Sequence, residues 1–279
     1  MPAARRLSWW KRLLALLAAT YLAWCLIVYS AQDSLLFPGP RGAFKPPDNA
    51  QRLTHPIDSG DVFAYLSFPS AQSATPRPLV VLFHGNGESI ARLEGLRRGY
   101  LSRGYAVLTP EFRGYAGSAG SPSEPALVDD ALAFIEDVIK RPDIDASHLL
   151  YHGRSLGGAI AAQVSTHRPP TALILQSTFT SIADMSWSFG VPPLVVKNPF
   201  HTDHILATLP TPVLLIHGTG DTIIPISHSR KLATIGQGRT LVELPGNHND
   251  FPIDPVPYWA AIDTWLQAHA LPISTDPPR

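Results

Sequence analysis

The sequence predicts an α/β fold, a mainly parallel eight-stranded sheet with helices on both faces. Three observations carry this. Continuous apolar runs of strand length recur at 78–83, 105–109, 149–151, 171–175, 212–216 and 240–244, and unbroken apolarity marks strands buried on both faces. Helical periodicity falls between several of these runs, which is the alternation of a sheet sandwiched by helices. The runs also end on turns rich in glycine, histidine and acid, where open α/β sheets gather their chemistry.

Composition allows this fold. With 45% hydrophobic and 16% charged residues in 279, the chain can bury a sizeable core and does not read as disordered. Lys+Arg and Asp+Glu both number 22, and the body of the chain has no basic run, which argues against a nucleic-acid partner. A single cysteine, Cys25, rules out an intrachain disulfide framework.

Arg5, Arg6, Lys11 and Arg12 precede an uncharged run from Leu13 to Tyr29. Continued to Ala31 as a helix it rises roughly 28 Å, close to the thickness of a bilayer's hydrocarbon core. Trp9, Trp10 and Tyr29 suit the two interfaces, and the cations place the N-terminus in the cytoplasm with the rest outside. A cleaved signal peptide shares the basic region and the apolar stretch, and Val28-Tyr29-Ser30 is a passable cleavage site. The length of the run favours an uncleaved anchor. Trp24 before Cys25 is too bulky for a lipoprotein signal. The expected organisation is an anchor (1–31), a proline- and glycine-rich linker (32–51), a catalytic domain (52–271) and a tail (272–279).

The first strands are expected at 52–57 and 62–68, divided by the turn residues Asp58-Ser59-Gly60. The run at 78–83 stops at His84-Gly85-Asn86-Gly87, and Ser89 is a reasonable cap for the helix that follows. Helices are also expected over 126–139, 227–235 and 257–270. Between Met185 and Phe200, Trp187, Phe189, Pro192 and Pro193 read as a short cap over the site or as cover for the sheet edge. The cap is our reading, and its apolar lining favours an acyl or other hydrophobic substrate.

Gly153-Arg154-Ser155-Leu156-Gly157 fits G-x-S-x-G, a sharp strand-to-helix turn that presents a serine hydroxyl. Asp221 follows the strand at 212–216 and His248 follows the last strand, giving the chain order serine, acid, histidine. A histidine can take and return the serine proton, and a carboxylate on the other ring nitrogen fixes its tautomer. Charge developing on a carbonyl oxygen needs backbone N–H donors. Leu156 should supply one and Asn86 the other, with Gly87 the near alternative. Asp250 is a rival acid, but two residues from His248 it is badly placed to support that ring. His84, His152 and His217 read as structural hydrogen-bonders near the site. His201 and His204 lack a third ligand in the sequence, so neither a metal nor a cofactor is expected.

These motifs resemble the alpha/beta-hydrolase superfamily, and within it the membrane-anchored alpha/beta-hydrolase-domain serine hydrolases, whose core is similar to serine aminopeptidases. The resemblance rests on His84–Gly87, Phe112–Glu124, His152–Gly158, Ser177–Ile182, His217–Asp221 with Ile224-Pro225, and His248–Asp250, spanning roughly residues 50 to 270. Asn247 departs from it, where a glycine is expected before the histidine. The resemblance implies hydrolysis of a carboxylic ester or thioester through an acyl-enzyme, with a small-molecule or lipid-like acyl substrate. Amide hydrolysis uses the same parts, and a non-catalytic binding protein on this fold is the other class. The oligomeric state is not set by the sequence.

Overall fold

A computed structural model of the chain describes residues 8–40, 42, 44–70 and 73–273. Arg5 and Arg6 of the basic cluster, and 274–279 of the tail, lie outside the described residues. Eight strands form one sheet: β1 (Ala50–Ile57), β2 (Gly60–Ser67), β3 (Arg77–Phe83), β4 (Ala106–Pro110), β5 (Ile144–Arg154), β6 (Ala172–Gln176), β7 (Val213–Gly218) and β8 (Arg239–Leu244). Their order is β1-β2-β4-β3-β5-β6-β7-β8. Only β2 runs against its neighbours; the pairings from β4 to β8 are parallel.

The unbroken apolar runs have a simple cause. Successive side chains of a strand point to opposite faces, and both faces here are covered. Leu79, Val81 and Phe83 of β3 join one core cluster, while Val80 and Leu82 join another. Val213 and Leu215 of β7 enter the first cluster, and Leu214 and Ile216 the second. Each such side chain contributes about 1.5–3 kcal/mol by leaving water, so a polar residue at either parity would be costly.

Helix ends follow local chemistry. Helix α3 (Glu124–Val138) starts two residues before the expected Ala126, because the Ser123 hydroxyl accepts the Ala126 N–H. Helix α8 (Pro255–Ala268) starts at a proline, with Asp254 accepting the Val256 N–H; Pro255 needs no hydrogen-bond acceptor in the first turn. The helix after Ser89 opens as a 3-10 turn and becomes α2 (Glu94–Leu101), and Ser89 makes no capping bond. Shorter helices α5 (Ile182–Ser186), α6 (Thr202–Thr208) and α7 (Ser227–Ala233) complete the layers around α4 (Leu156–His167).

The N-terminal helix α1 spans Trp9–Leu36, so it enters the stretch 32–51 expected as a linker. The residues after it are seated on the domain. Phe37 is buried edge-to-face against Phe200, and the Pro40 carbonyl accepts the Ala116 N–H at 2.6 Å. Proline and glycine announced a turn there without saying what it would lie on.

Candidate active site

β5 runs into α4 with Ser155 alone between them. Ser155 has φ +53° and ψ −119°, a backbone region that non-glycine residues seldom occupy and that surrounding contacts must enforce. Those contacts are present. The Ser155 N–H donates to the Gln176 carbonyl at 2.8 Å, and the Thr178 hydroxyl donates to the Ser155 carbonyl at 2.9 Å. The flanking glycines are steric requirements. A Cβ at Gly153 would lie 2.2 Å from the Gly157 carbonyl oxygen, and one at Gly157 would lie 2.3 Å from that of Phe83.

Asp221 leaves the end of β7 and His248 the end of β8, and both side chains reach the serine turn. His248 Nδ1 is 2.6 Å from Asp221 Oδ2, and His248 Nε2 is 3.0 Å from Ser155 Oγ. The Asp221 side chain is fully buried. Its Oδ1 accepts the N–H groups of Ile223 and Ile224 at 3.0 and 2.8 Å, and its Oδ2 lies 3.2 Å from His217 Nε2. Burial pushes its pKa up, but hydrogen bonds from His217, His248 and the Ile224 N–H outweigh burial and hold the carboxyl below its ordinary range. An ionised Asp221 keeps the proton of a neutral His248 on Nδ1, leaving Nε2 as an acceptor for the serine hydroxyl.

His217, read from sequence as a structural hydrogen-bonder, is the second imidazole on that carboxylate. Its own position is fixed, with Nδ1 2.7 Å from Ser229 Oγ and Nε2 2.8 Å from the Ile224 carbonyl. Both Asp250 oxygens are engaged within their own turn: they accept the Asn247 N–H at 2.7 Å and the Asn247 amide at 3.1 Å. Asn247 thus staples the turn that carries His248, which accounts for its presence at the position where glycine was expected.

Sequence reasoning missed Arg154. Its buried guanidinium pairs with Glu88 and donates to the His248 carbonyl at 2.5 Å. Glu88 in turn accepts the Gly85 N–H at 3.0 Å. One side chain therefore ties the loop after β3 to the loop after β8. In the same early loop, Asn86 Oδ1 accepts the Tyr115 hydroxyl at 3.0 Å. Leu156 is the first residue of α4, so its N–H has no acceptor within the helix. Asn86 and Leu156 make no side-chain bond with Ser155 or His248 among those described.

The remaining histidines divide by neighbourhood. His84 Nε2 is 2.9 Å from Glu111, and the ring lies tilted against Phe112 with centroids 3.7 Å apart. His152 lies between the hydroxyls of Tyr100 and Tyr258, and burial pushes its pKa down to about 3. His201 and His204 do acquire a third potential ligand, because Asp203 brings a carboxylate oxygen within 4.8 Å of both rings. A cleft of about 340 Å³ opens behind the histidine loop, lined by Arg92, Leu96, Phe251 and Trp259 and not by Ser155 or His248.

The family described as "Serine aminopeptidase, S33" matches residues 74–209. Alpha/beta hydrolase domain-containing protein WAV2 of Arabidopsis thaliana is 34% identical over 197 residues, covering 62% of this chain and 64% of that one. Protein bem46 of Schizosaccharomyces pombe is 30% identical over 230 residues, covering 76% and 77%. Lysophosphatidylserine lipase ABHD12 of Rattus norvegicus is 30% identical over 186 residues, covering 58% and 46%. The chain spans just under two thirds of the length of several relatives it matches. Among solved structures, Est1E from Butyrivibrio proteoclasticus has the same fold, with TM-score 0.65 at 17% identity, covering 77% of this chain and 98% of that one. The strand order, the serine turn and a relative matched at 30% identity over 77% of its length together show that this chain belongs to the alpha/beta-hydrolase superfamily.

Proposed function

We propose that the protein is a membrane-tethered serine hydrolase that cleaves a carboxylic ester or thioester through an acyl-enzyme. The observation that carries the reading is the relay from Asp221 to His248 at 2.6 Å and from His248 to Ser155 at 3.0 Å. In this reading His248 Nε2 takes the Ser155 proton as Oγ attacks the acyl carbonyl, and Asp221 stabilises the imidazolium. The N–H groups of Leu156 and Asn86 receive the oxyanion, with Gly87 as the near alternative to Asn86. One such donor is worth about 10²–10³ in rate. His248 then protonates the leaving oxygen or sulfur, and water hydrolyses the acyl-serine by the same route. No step in this sequence calls on a metal or cofactor.

Lipid-like acyl esters are the substrate class we favour, since one relative is described as a lysophosphatidylserine lipase. Helix α1 is the tether. It is long and apolar enough to cross a bilayer, and Lys11 and Arg12, with Arg5 and Arg6 before them, support a catalytic domain on the outer side.

Full-length protein in detergent micelles, assayed against acyl esters, acyl thioesters and aminoacyl amides, tests the chemistry. The expected result is turnover of an ester or thioester that disappears in Ser155→Ala. Turnover of amides alone would replace the substrate class, and ester turnover that survives in Ser155→Ala would remove the mechanism.

A further inference from the structure

The segment between α5 and α6 runs down the side of α1. Asn198 donates to Asp33 at 3.3 Å, and the Lys197 ammonium lies 3.0 Å from Asp33 and 4.6 Å from the centre of the Tyr29 ring. The Lys197 N–H donates to Gln32 at 2.7 Å, and the Gln32 amide donates to the Val195 carbonyl at 3.1 Å. Lower on the helix, the Trp24 indole N–H donates to the Phe189 carbonyl at 3.2 Å. As the segment is read backwards from 198 to 189, its partners therefore descend from Asp33 to Trp24. That step is roughly 13 Å of helix, at about 1.5 Å per residue.

Tyr29 closes the strongly apolar part of α1; Ser30, Ala31 and Gln32, small or polar, follow it before the first charge at Asp33. Trp24, and with it Phe189, lies roughly 7–8 Å further in than Tyr29. That is the depth at which interfacial apolar faces sit beneath the headgroups. Large, apolar and uncovered residues line this segment: Trp187 is 62% exposed and Phe189 66% at the Trp24 end, and Leu194 is 89% exposed higher up, next to Val195 and the Gln32 level. Lys197 and the Tyr29 ring stay at the upper end, a cation and an aromatic at headgroup level.

The chain just past α1 also reaches the candidate oxyanion loop. The Tyr115 ring packs against Gly39, and the Tyr115 hydroxyl donates to Asn86. Pro38 is the nearest neighbour of the space beside Gly87. The helix end that would leave the bilayer thus touches the apolar segment, and the residues directly after it touch a wall of the candidate site.

We propose that Trp187 and Phe189, with Leu194 at the upper edge, form a wedge inserted in the outer acyl boundary of the membrane that α1 crosses, so that the Ser155 site takes its acyl substrate from that bilayer. The substrate half of this proposal rests on the hydrolase reading above; the wedge rests only on the reading of α1 as a membrane tether.

Two readouts keep the halves separate. In a Cys25→Ser background, Phe189→Cys carries an environment-sensitive fluorophore, and the full-length protein is reconstituted in phosphatidylcholine vesicles containing lipids spin-labelled at defined depths. The wedge predicts strongest quenching by the label just below the headgroups. No quenching above that of a fluorophore on the exposed Ser147 side of the domain would overturn it. In the second readout, Phe189→Ser/Leu194→Ser should lower hydrolysis of a long-chain ester held in the vesicles at least tenfold more than hydrolysis of a water-soluble short-chain ester. Equal loss on both esters, or on neither, would overturn membrane delivery. Failure of the hydrolase reading looks different: normal depth quenching with no ester turnover in the parent protein.

Discussion

Arg154 gives the sharpest test of how the site is held together. Its guanidinium and the Glu88 carboxylate are 7% and 14% exposed, so solvent screens the pair little. Arg154→Met keeps much of the side-chain volume and removes the charge. It leaves Glu88 buried without its cation and takes the donor from the His248 carbonyl. Removing one partner of a buried pair costs about 3–5 kcal/mol. At about 2–4 °C per kcal/mol for a domain of this size, the melting temperature should fall by about 6–20 °C. The backbone carrying His248 also loses a restraint, and a displacement of about 1 Å at a catalytic group costs about 10²-fold. Thermal melts followed by circular dichroism, with kcat on a soluble ester, measure both effects. Glu88→Met combined with Arg154→Met removes both buried charges, and should be more stable than the sum of the single effects implies by at least about 1 kcal/mol. A single variant that loses less than about 1 kcal/mol and keeps kcat within twofold would refute the clamp.

Three further outcomes are expected. Asp221→Asn should lower kcat about 10⁴-fold, because an amide can donate to His248 and favour the wrong tautomer; steady-state kinetics on folded protein decide this. Gly157→Ala drives a methyl onto two backbone carbonyls, at 2.3 and 2.4 Å, and should cost about 3 kcal/mol or more, read as loss of melting temperature or of soluble yield. His152 is pushed by burial from 6.5 to about 3 in the fold, so the unfolded chain binds the extra proton between those values. Stability from this group is therefore complete above about pH 6.5 and falls by about 1.4 kcal/mol per pH unit below it, levelling near pH 3. His152→Gln should flatten that part of the pH profile, measured by urea unfolding between pH 7 and 4.

Much of the fold was legible because burial on both faces of a strand leaves an unbroken apolar run, and the sheet contains a strand at each of the six runs and at the two opening stretches. β5 is longer than its apolar portion: it begins at Ile144 and includes Asp145–His148, where 146–148 bulge out of the pairing with β3 between Pro78 and Leu79. Composition gives no sign of a strand where one end emerges into solvent. Ser155, Asp221 and His248 were legible because a strand end and a glycine turn mark each one. Arg154 was not, since the motif leaves that position free and its partners lie 66 and 94 residues away. His217 looked like any histidine before a glycine until the chain after β7 curled Asp221 back against it. The docking of α1 on residues 189–198 was equally hidden, because the sequence shows that Trp187 and Phe189 are apolar but not what they face.

The central claim is that the Asp221–His248 pair makes Ser155 a nucleophile. Intact-mass analysis of the full-length protein after a fluorophosphonate tests it most directly. One adduct is predicted, located on the peptide containing Ser155, absent in Ser155→Ala and slowed by orders of magnitude in His248→Ala. Folded protein that gains no adduct, or an adduct that persists in Ser155→Ala, would contradict the account.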